Sequence, residues 1–146
     1  MQIRLMTIND YKDVYKLWLS CNGIGLNNLD DSKSGIEKFL KRNPDTCFVT
    51  LEENKIIGSI LTGNDGRRGY IYHTAINPDY QRKGIGRKLV NTAVNALKDK
   101  DINKVALVVF KENSFGNEFW EKIGFSKRND LVYRNKTINE FERIDT

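Results

Sequence analysis

Three β-rich runs follow one another in the middle of the chain, and they limit the possible fold more than any other feature. Cys47 to Leu51 and Lys55 to Thr62 are joined by Glu52-Glu53-Asn54, which is a hairpin by composition. The turn residues Gly63-Asn64-Asp65-Gly66 then lead to a third run, from Gly69 to Ile76. Strands with connections this short pair with their chain neighbours in opposite directions. The segment therefore predicts an antiparallel meander.

A different pattern follows the meander. After Pro78 a glycine-rich turn leads to an amphipathic helix that begins near Ile85, and the later run Val105 to Phe110 has no polar alternation. Such a run is typical of a central strand that is covered on both faces. A strand, helix, strand order needs a right-handed crossover and gives a parallel pair. We therefore predict a mixed α/β fold in which an antiparallel meander is followed by a parallel strand pair.

Capping and spacing signals predict the remaining elements. No linker, repeat or low-complexity tract interrupts the sequence, so residues 1–146 are interpreted as one domain. In chain order, these elements are a strand at Ile3 to Met6, a helix between Asn9-Asp10 and Asn22-Gly23, a short helix capped by Ser34, a helix at about Phe115 to Ile123, and a terminal hairpin from Phe125 to Tyr133 that turns at Arg128-Asn129-Asp130.

Composition argues against several classes of protein. The net charge is +5, but acids are interleaved with bases, as in Lys98-Asp99-Lys100-Asp101, whereas a nucleic-acid binder gathers its bases on one face. The longest apolar run, Val105 to Phe110, is far too short to span a bilayer, and no signal-peptide pattern is present. We therefore expect a cytoplasmic protein that binds neither nucleic acid nor membrane. Cys21 and Cys47 form no disulfide framework or metal-ligand cluster, so we expect free thiols and no metal.

The one local excess of positive charge, Gln81 to Lys88, lies in the glycine-rich turn. The first backbone N–H groups of a helix have no partner within the helix and lie at the positive end of its dipole. A loop that curls over this end, with glycines allowing close approach, forms a site for pyrophosphate. A dinucleotide fingerprint would need a glycine at Leu89, and a phosphate loop would need Lys-Ser/Thr after Gly86. The turn therefore predicts a small anionic ligand of another kind.

Two segments resemble the motifs of a known family. Gln81-x-x-Gly84-x-Gly86 follows Ala75-Ile76-Asn77-Pro78 and precedes an amphipathic helix, and Asn113-(x)5-Phe119-Trp120-(x)3-Gly124-Phe125 comes later at the usual distance. They resemble the acetyl-CoA motif and the Asn…Phe-Tyr-x-x-x-Gly-Phe signature of the GNAT superfamily of N-acetyltransferases. The order of elements is similar over nearly the whole chain, above all to small single-domain bacterial members, including those that acetylate ribosomal-protein N-termini.

The resemblance implies a GNAT-type fold that binds acetyl-CoA as cosubstrate, with a bulge that splays the third meander strand from Val105 to Phe110. Backbone amides of the glycine-rich turn would hold the pyrophosphate, and the strand edge would pair with the pantetheine arm. A backbone N–H near Ile76 would polarise the thioester carbonyl. The implied cofactor-binding residues are Thr74, Ala75, Ile76, Gln81, Arg82, Lys83, Gly84, Ile85, Gly86, Arg87, Asn113 and Trp120.

The implied reaction is direct attack of a primary amine on the thioester in a ternary complex. A lysine-type amine is neutral in only about one molecule in a thousand near pH 7, so its attack needs a base. The sole histidine, His73, lies on the strand that lines the predicted slot, and imidazole suits this role. Tyr72, Asp65 and an acid acting through water are the alternatives. Trp120 occupies the place of the family's proton-donating Tyr, but an indole N–H is not a usable acid. Solvent or another tyrosine such as Tyr133 would therefore protonate the leaving thiolate.

The acceptor site is expected between the first two helices, their loop Leu26 to Asp31 and the terminal hairpin. There Asp30, Asp31 and Glu37 either attract a cationic amine or are ordinary solvated carboxylates. The sequence leaves open whether the acceptor is a peptide, a protein or a small metabolite. It also leaves open whether the protein is a monomer or a homodimer. A second hypothesis, favoured by Trp120 in the tyrosine place, is a noncatalytic module that senses acetyl-CoA or CoA.

Overall fold

A computed structural model describes residues 1–146 as strands, helices and two single-turn 3-10 helices, Ile8–Asp10 and Pro78–Tyr80. The strands are β1 (Gln2–Leu5), β2 (Gly25–Asn27), β3 (Phe48–Glu52), β4 (Lys55–Asn64), β5 (Gly69–Ile76), β6 (Val105–Ala106) and β7 (Arg143–Asp145). The helices are α1 (Tyr11–Ser20), α2 (Lys33–Arg42), α3 (Ile85–Lys98) and α4 (Ser114–Lys122). None of the helices is long and apolar enough to cross a membrane.

The main sheet has five strands in the order β1-β3-β4-β5-β6, and β2 pairs with β7 in a separate ribbon. β3, β4 and β5 pair antiparallel, and β5 pairs with β6 in parallel. Glu53 and Asn54 form the turn between β3 and β4 with positive φ angles of 49° and 65°, which suits the right-handed twist of a hairpin. The predicted mixed α/β fold, with its meander and parallel pair, is confirmed.

Helices cover both faces of the main sheet and give the chain two buried clusters. On one face, α1 and α2 pack around Trp18, which is fully buried and donates its indole N–H to Ser59 Oγ at 3.3 Å. On the other face, α3 packs against the sheet through the apolar stripe that its sequence predicts. The buried residues of this second cluster are Ile57, Ile60, Ile71, Ile85, Leu89, Val90 and Ala93.

β5 contains a bulge near its middle. Between two flanking pairs with β4, β5 carries one residue more than its partner strand, so that Tyr72 and His73 together face Leu61. An extra residue breaks the strict alternation of side chains along a strand. Both rings therefore lie on the α1 and α2 side of the sheet, where Tyr72 contacts Phe39 and His73 contacts Trp18.

The prediction of a long central strand at Val105 to Phe110 is wrong. Only Val105–Ala106 pairs, in parallel with the start of β5, and the chain then leaves the sheet. β6 is the edge strand of the sheet, and in the segment that follows it Val108 and Phe110 are 55% and 41% exposed, so the expected cover on both faces is missing. The departure opens a gap beside the second half of β5.

The predicted terminal hairpin from Phe125 to Tyr133 is also wrong. The segment forms no strand, and Leu131 and Val132 are 61% and 75% exposed, because no apolar layer lies beside them. Pairing occurs closer to the C-terminus instead. β7 pairs with β2, and Ile144 packs on the cluster formed by α1 and α2.

Helix α2 begins earlier than its predicted cap. Ser32, not Ser34, is the N-cap, and its Oγ accepts a hydrogen bond from the Gly35 N–H at 3.1 Å. The loop before it is closed by the Asn27 side chain, whose Oδ1 accepts the N–H groups of Leu29 and Asp30 at 3.0 and 2.7 Å. This tight loop ends at residue 31, so Ser32, the next residue, becomes the N-cap.

Burial makes the two thiols poor nucleophiles. Cys47 is 1% exposed, and this burial raises its pKa to about 12, while burial also raises the pKa of Cys21. At pH 8 a thiol of this kind is ionised in only roughly one molecule in ten thousand. We predict that Cys47 in a Cys21→Ser variant does not react with DTNB at pH 8 within hours, but reacts at once when urea unfolds the protein. Rapid stoichiometric reaction of the native variant would contradict this burial.

Candidate functional site

An open cleft of about 870 Å³ occupies the gap between β5 and the segment 107–110. It forms because the parallel pairing of β5 with β6 stops after Tyr70 and Ala106. The start of α3, α4 and residues 21–25 contribute its other walls. The predicted site residues that line the cleft are Tyr72, His73, Thr74, Ala75, Ile76, Gln81, Arg82, Gly84, Ile85, Gly86, Arg87, Asn113, Trp120 and Tyr133.

The loop before α3 and the first turn of that helix present a run of unpaired donors. No backbone N–H from Arg82 to Arg87 donates a hydrogen bond within the protein, and α3 has no side-chain cap. Left-handed φ angles of 64° at Arg82 and 80° at Gly84 curl the loop across the helix end. These N–H groups lie at the positive end of the helix dipole, beside the exposed side chains of Arg82 and Arg87. Such an arrangement binds anions.

The two glycines of this loop have different roles. Gly84 has a left-handed backbone, and a Cβ there would meet nothing within 4 Å, so its side of the loop is open to a ligand. Gly86 is buried, and a Cβ there would lie 3.1 Å from the Phe119 ring. Gly86 therefore allows α3 to pack closely on α4, whereas Gly84 is the glycine of this loop that has open space beside it.

The backbone of Ile76 connects the loop to the strand. Its carbonyl accepts hydrogen bonds from Gln81 Nε2 at 3.1 Å and from the Cys21 thiol at 3.3 Å, so the Gln81 side chain fastens the loop to β5. The N–H of the next residue, Asn77, donates to the Ile57 carbonyl at 2.7 Å. Successive residues of a strand direct their backbone groups to opposite edges. The Ile76 N–H therefore points away from β4 and into the cleft.

The basic side chains of the loop rest on aromatic rings. The guanidinium carbon of Arg82 lies 5.0 Å from the centroid of Phe115, at the start of α4. The ammonium of Lys83 lies 5.4 Å from the centroid of Tyr80. Lys83 does not line the cleft, unlike the other predicted cofactor residues, so its side chain is not placed to contact a ligand there.

Two further predicted residues build the α4 wall of the cleft. Asn113 is the N-cap of α4, and its Oδ1 accepts the Gly116 N–H at 2.9 Å. Trp120 packs between Phe119 and Phe125, with ring centroids 5.1 and 5.0 Å away. Trp120 thus lies in an aromatic stack at the wall of the cleft.

His73 forms a buried pair with Asp31. His73 Nε2 and Asp31 Oδ1 lie 2.6 Å apart, and the two side chains are 11% and 5% exposed. The second oxygen of Asp31 accepts the Asn27 N–H at 2.8 Å, and the Trp18 ring packs edge-on against the imidazole with a centroid distance of 4.8 Å. Neither role expected for Asp31 holds, because it is neither solvated nor free to attract an amine. No local pattern marks this contact, since the partners are 42 residues apart.

Three tyrosines also line the cleft. The rings of Tyr70 and Tyr72 have centroids 4.6 Å apart, and both residues line the cleft together with Tyr133. Burial raises the pKa of Tyr70 and of Tyr72, with a smaller contribution from nearby Tyr133 in each case and from Asp30 for Tyr72. These hydroxyls are therefore protonated at neutral pH. A raised pKa makes Tyr72 a poor base under these conditions.

The other candidate acids do not line the cleft. Asp65 lies in an exposed turn, where the N–H groups of Arg68 and Arg67 donate to its carboxylate at 2.8 Å each and hold its pKa below the ordinary value. It is therefore not a base for this site, contrary to the alternative that its sequence position left open. Asp30 and Glu37 are exposed and also lie outside the lining.

A family model described as the acetyltransferase (GNAT) family matches residues 11–125, which include both signature segments. The chain belongs to the GNAT acetyltransferase family. It is therefore an acyltransferase, as the resemblance implied. An acetyltransferase of Sodalis glossinidius (strain morsitans) is 29% identical to it over 140 residues, which cover 96% of this chain and 97% of the relative.

Solved structures of other acetyltransferases share the fold of this GNAT protein. The PaiA N-acetyltransferase from Thermoplasma acidophilum, in complex with coenzyme A, has a TM-score of 0.72 and 19% identity over 83% of this chain and 86% of its own. The aminoglycoside acetyltransferase meta-AAC0020 from an uncultured soil metagenomic sample, in complex with sisomicin, has a TM-score of 0.70 and 20% identity over 94% and 96%.

The contact between Gly86 and Phe119 generates a stability prediction. We expect Gly86→Val to lower the free energy of unfolding by about 1–3 kcal/mol, because the new side chain overlaps the Phe119 ring. Urea denaturation measures this change. In a Phe119→Ala background the same substitution should cost much less, since the ring is absent. An equal cost in both backgrounds would contradict the assignment of Gly86 to helix packing.

Proposed function

We propose that this acetyltransferase transfers the acetyl group of acetyl-CoA to a primary amine of a peptide, a protein or a small metabolite by direct attack in a ternary complex. The observation that carries the proposal is the run of unpaired N–H groups from Arg82 to Arg87 at the cleft. A pyrophosphate accepts several such donors at once and suits the positive end of α3. The similar structure solved with coenzyme A supports this ligand.

The strand wall of the cleft would take the pantetheine arm. Thr74 and Ile76 direct their backbone groups to the edge of β5 that no strand covers, so they would pair with the amides of the arm as an added strand does. Ala75 would pack beside the arm, and Asn113 and Trp120 would face it from the α4 side.

The Ile76 N–H would act on the thioester itself. It would donate a hydrogen bond to the carbonyl oxygen, on which negative charge develops as the amine attacks. Donors placed in advance at such a position stabilise the transition state more than the ground state, and loss of one typically costs about 10²–10³-fold in rate. A backbone donor of this kind leaves no side-chain signature in the sequence.

His73 would accept the proton of the attacking amine. The amine lone pair forms the new C–N bond to the acetyl carbon, and the C–S bond breaks with its electron pair going to sulfur. The amine proton passes to the imidazole. A proton from Tyr72, Tyr133 or solvent neutralises the CoA thiolate, because Trp120 has no acidic proton to give.

Acceptor-dependent release of free thiol from acetyl-CoA tests the reaction. We expect purified protein to release thiol when supplied with at least one of an alkyl diamine, an aminoglycoside or a short peptide with a free N-terminus, with the acetylated amine identified by mass spectrometry. Calorimetry with CoA accompanies the assay. CoA binding without any acceptor-dependent thiol would favour the noncatalytic sensor, and absence of CoA binding would overturn the cofactor assignment as well.

A pair of glycine variants tests the phosphate cradle. Gly84 and Gly66 have φ angles of 80° and 88°, and a Cβ at either would meet nothing within 4 Å, but only Gly84 lines the cleft. Substitution by Ala should therefore cause similar backbone strain, about 1–2 kcal/mol, at both positions. We predict that Gly84→Ala weakens CoA binding about tenfold or more by calorimetry, because its methyl group occupies the anion space, while Gly66→Ala leaves affinity unchanged. Equal affinity in the two variants would contradict the cradle.

A further inference from the structure

The pairing of His73 with Asp31 determines which imidazole nitrogen can act as a base. A carboxylate only accepts hydrogen bonds, so the 2.6 Å contact with Asp31 Oδ1 requires the proton to be on His73 Nε2. In a neutral imidazole the other nitrogen, Nδ1, then carries the lone pair. Nδ1 has no hydrogen-bond partner within the protein and is not fully buried, and His73 lines the cleft.

The protein holds Asp31 in place with contacts from three elements. Its Oδ2 accepts the Asn27 N–H at the end of β2, and its backbone carbonyl accepts the Tyr11 hydroxyl of α1 at 2.7 Å. Ser32, the next residue, is the N-cap of α2. A carboxylate held in this way cannot turn from the imidazole to solvent without loss of these bonds, and it is 5% exposed.

We propose that Asp31 is a positioning residue of the acetyl-transfer reaction, which holds His73 in the tautomer whose Nδ1 accepts the proton of the acceptor amine. The inference rests on the proposed function, because it assumes that an amine attacks in this cleft. The bulge in β5 contributes by turning His73 to the side of the sheet where Asp31 lies. Trp18 limits rotation of the ring, since the two rings are in edge-on contact.

The substitution Asp31→Asn reverses the tautomer by simple hydrogen-bond accounting. The Asn27 N–H still needs an acceptor, and at this position only the amide oxygen of the new residue can replace Asp31 Oδ2. The amide NH₂ group then faces His73 Nε2 and makes that nitrogen an acceptor. The imidazole proton moves to Nδ1, which loses its capacity to take a proton from the amine. The shape of the side chain is unchanged, so the fold should persist.

His73 is the only histidine, so its ring nitrogens can be observed without assignment of other histidines. In protein labelled with ¹⁵N-histidine we expect NMR spectra at neutral pH to place the proton of the neutral ring on Nε2, and on Nδ1 in Asp31→Asn. Asp13→Asn, the same change at an exposed position of α1, is the matched control and should match the native spectrum. A native proton on Nδ1, or no change in Asp31→Asn, would overturn the inference.

Rates with two classes of acceptor separate positioning from mere support of the fold. An amine with a pKa near 10 needs a base at pH 7, whereas one with a pKa below 7 is already neutral. We expect Asp31→Asn and His73→Gln each to reduce kcat/KM for the strongly basic amine by about 10²-fold or more, with little effect on the weakly basic one. The double variant should lose no more than His73→Gln alone, because the residues act as a unit.

The outcomes distinguish this inference from the proposed function. A native protein that transfers acetyl groups, with Asp31→Asn slowing both classes of amine equally, would overturn the positioning role and leave the acetyl transfer standing. A native protein that binds CoA but acetylates no amine would overturn the proposed function, and the inference with it. Should Asp31→Asn fail to fold, the native tautomer and the acceptor dependence of His73→Gln decide the question.

Discussion

The parallel pairing between β5 and β6 ends early, and the cleft exists because of this break. Beyond Tyr70 the edge of β5 has no neighbouring strand, although it lines a wall inside the molecule. Backbone groups in such a place need other partners. The Ile76 carbonyl finds them in Gln81 and Cys21, while its N–H faces the cleft. The gap between the strands is therefore a cleft with a polar wall, ready for a ligand that brings its own amides.

Strand β5 carries both the histidine that contacts Asp31 and the backbone edge that faces the cleft. The bulge in β5 directs His73 toward Asp31, and the edge of the same strand presents Ile76 three residues later. At the usual rise of a strand, His73 and Ile76 lie about 10 Å apart. An acetyl group and an attacking amine both fit between them. The loop after Pro78 then leads directly to the unpaired amides of α3. The proposed proton acceptor, the proposed hydrogen-bond donor to the thioester and the proposed phosphate cradle thus lie on consecutive segments of the chain.

Sequence patterns predicted the parts of this arrangement that depend on near neighbours. The turn at Glu53-Asn54 and the left-handed Gly84 lie where the local residue types place them. The patterns failed at Val105 to Phe110 and at Phe125 to Tyr133, because whether an apolar run becomes a paired strand depends on the layers that surround it. The motif glycine Gly86 was located correctly, but its contact with α4 is invisible along the chain.

The meander and the glycine-rich turn follow from local sequence alone, since periodicity, turn residues and unpaired amides at a helix start act over a few residues. Which carboxylate contacts the histidine, and how deeply it is buried, depends on the assembled fold. Asp31 and His73 are 42 residues apart, and they meet because α1, α2 and the bulged β5 close around them. A buried hydrogen-bonded pair of this kind exists only after the surrounding layers have excluded water, so no local sequence pattern indicates it.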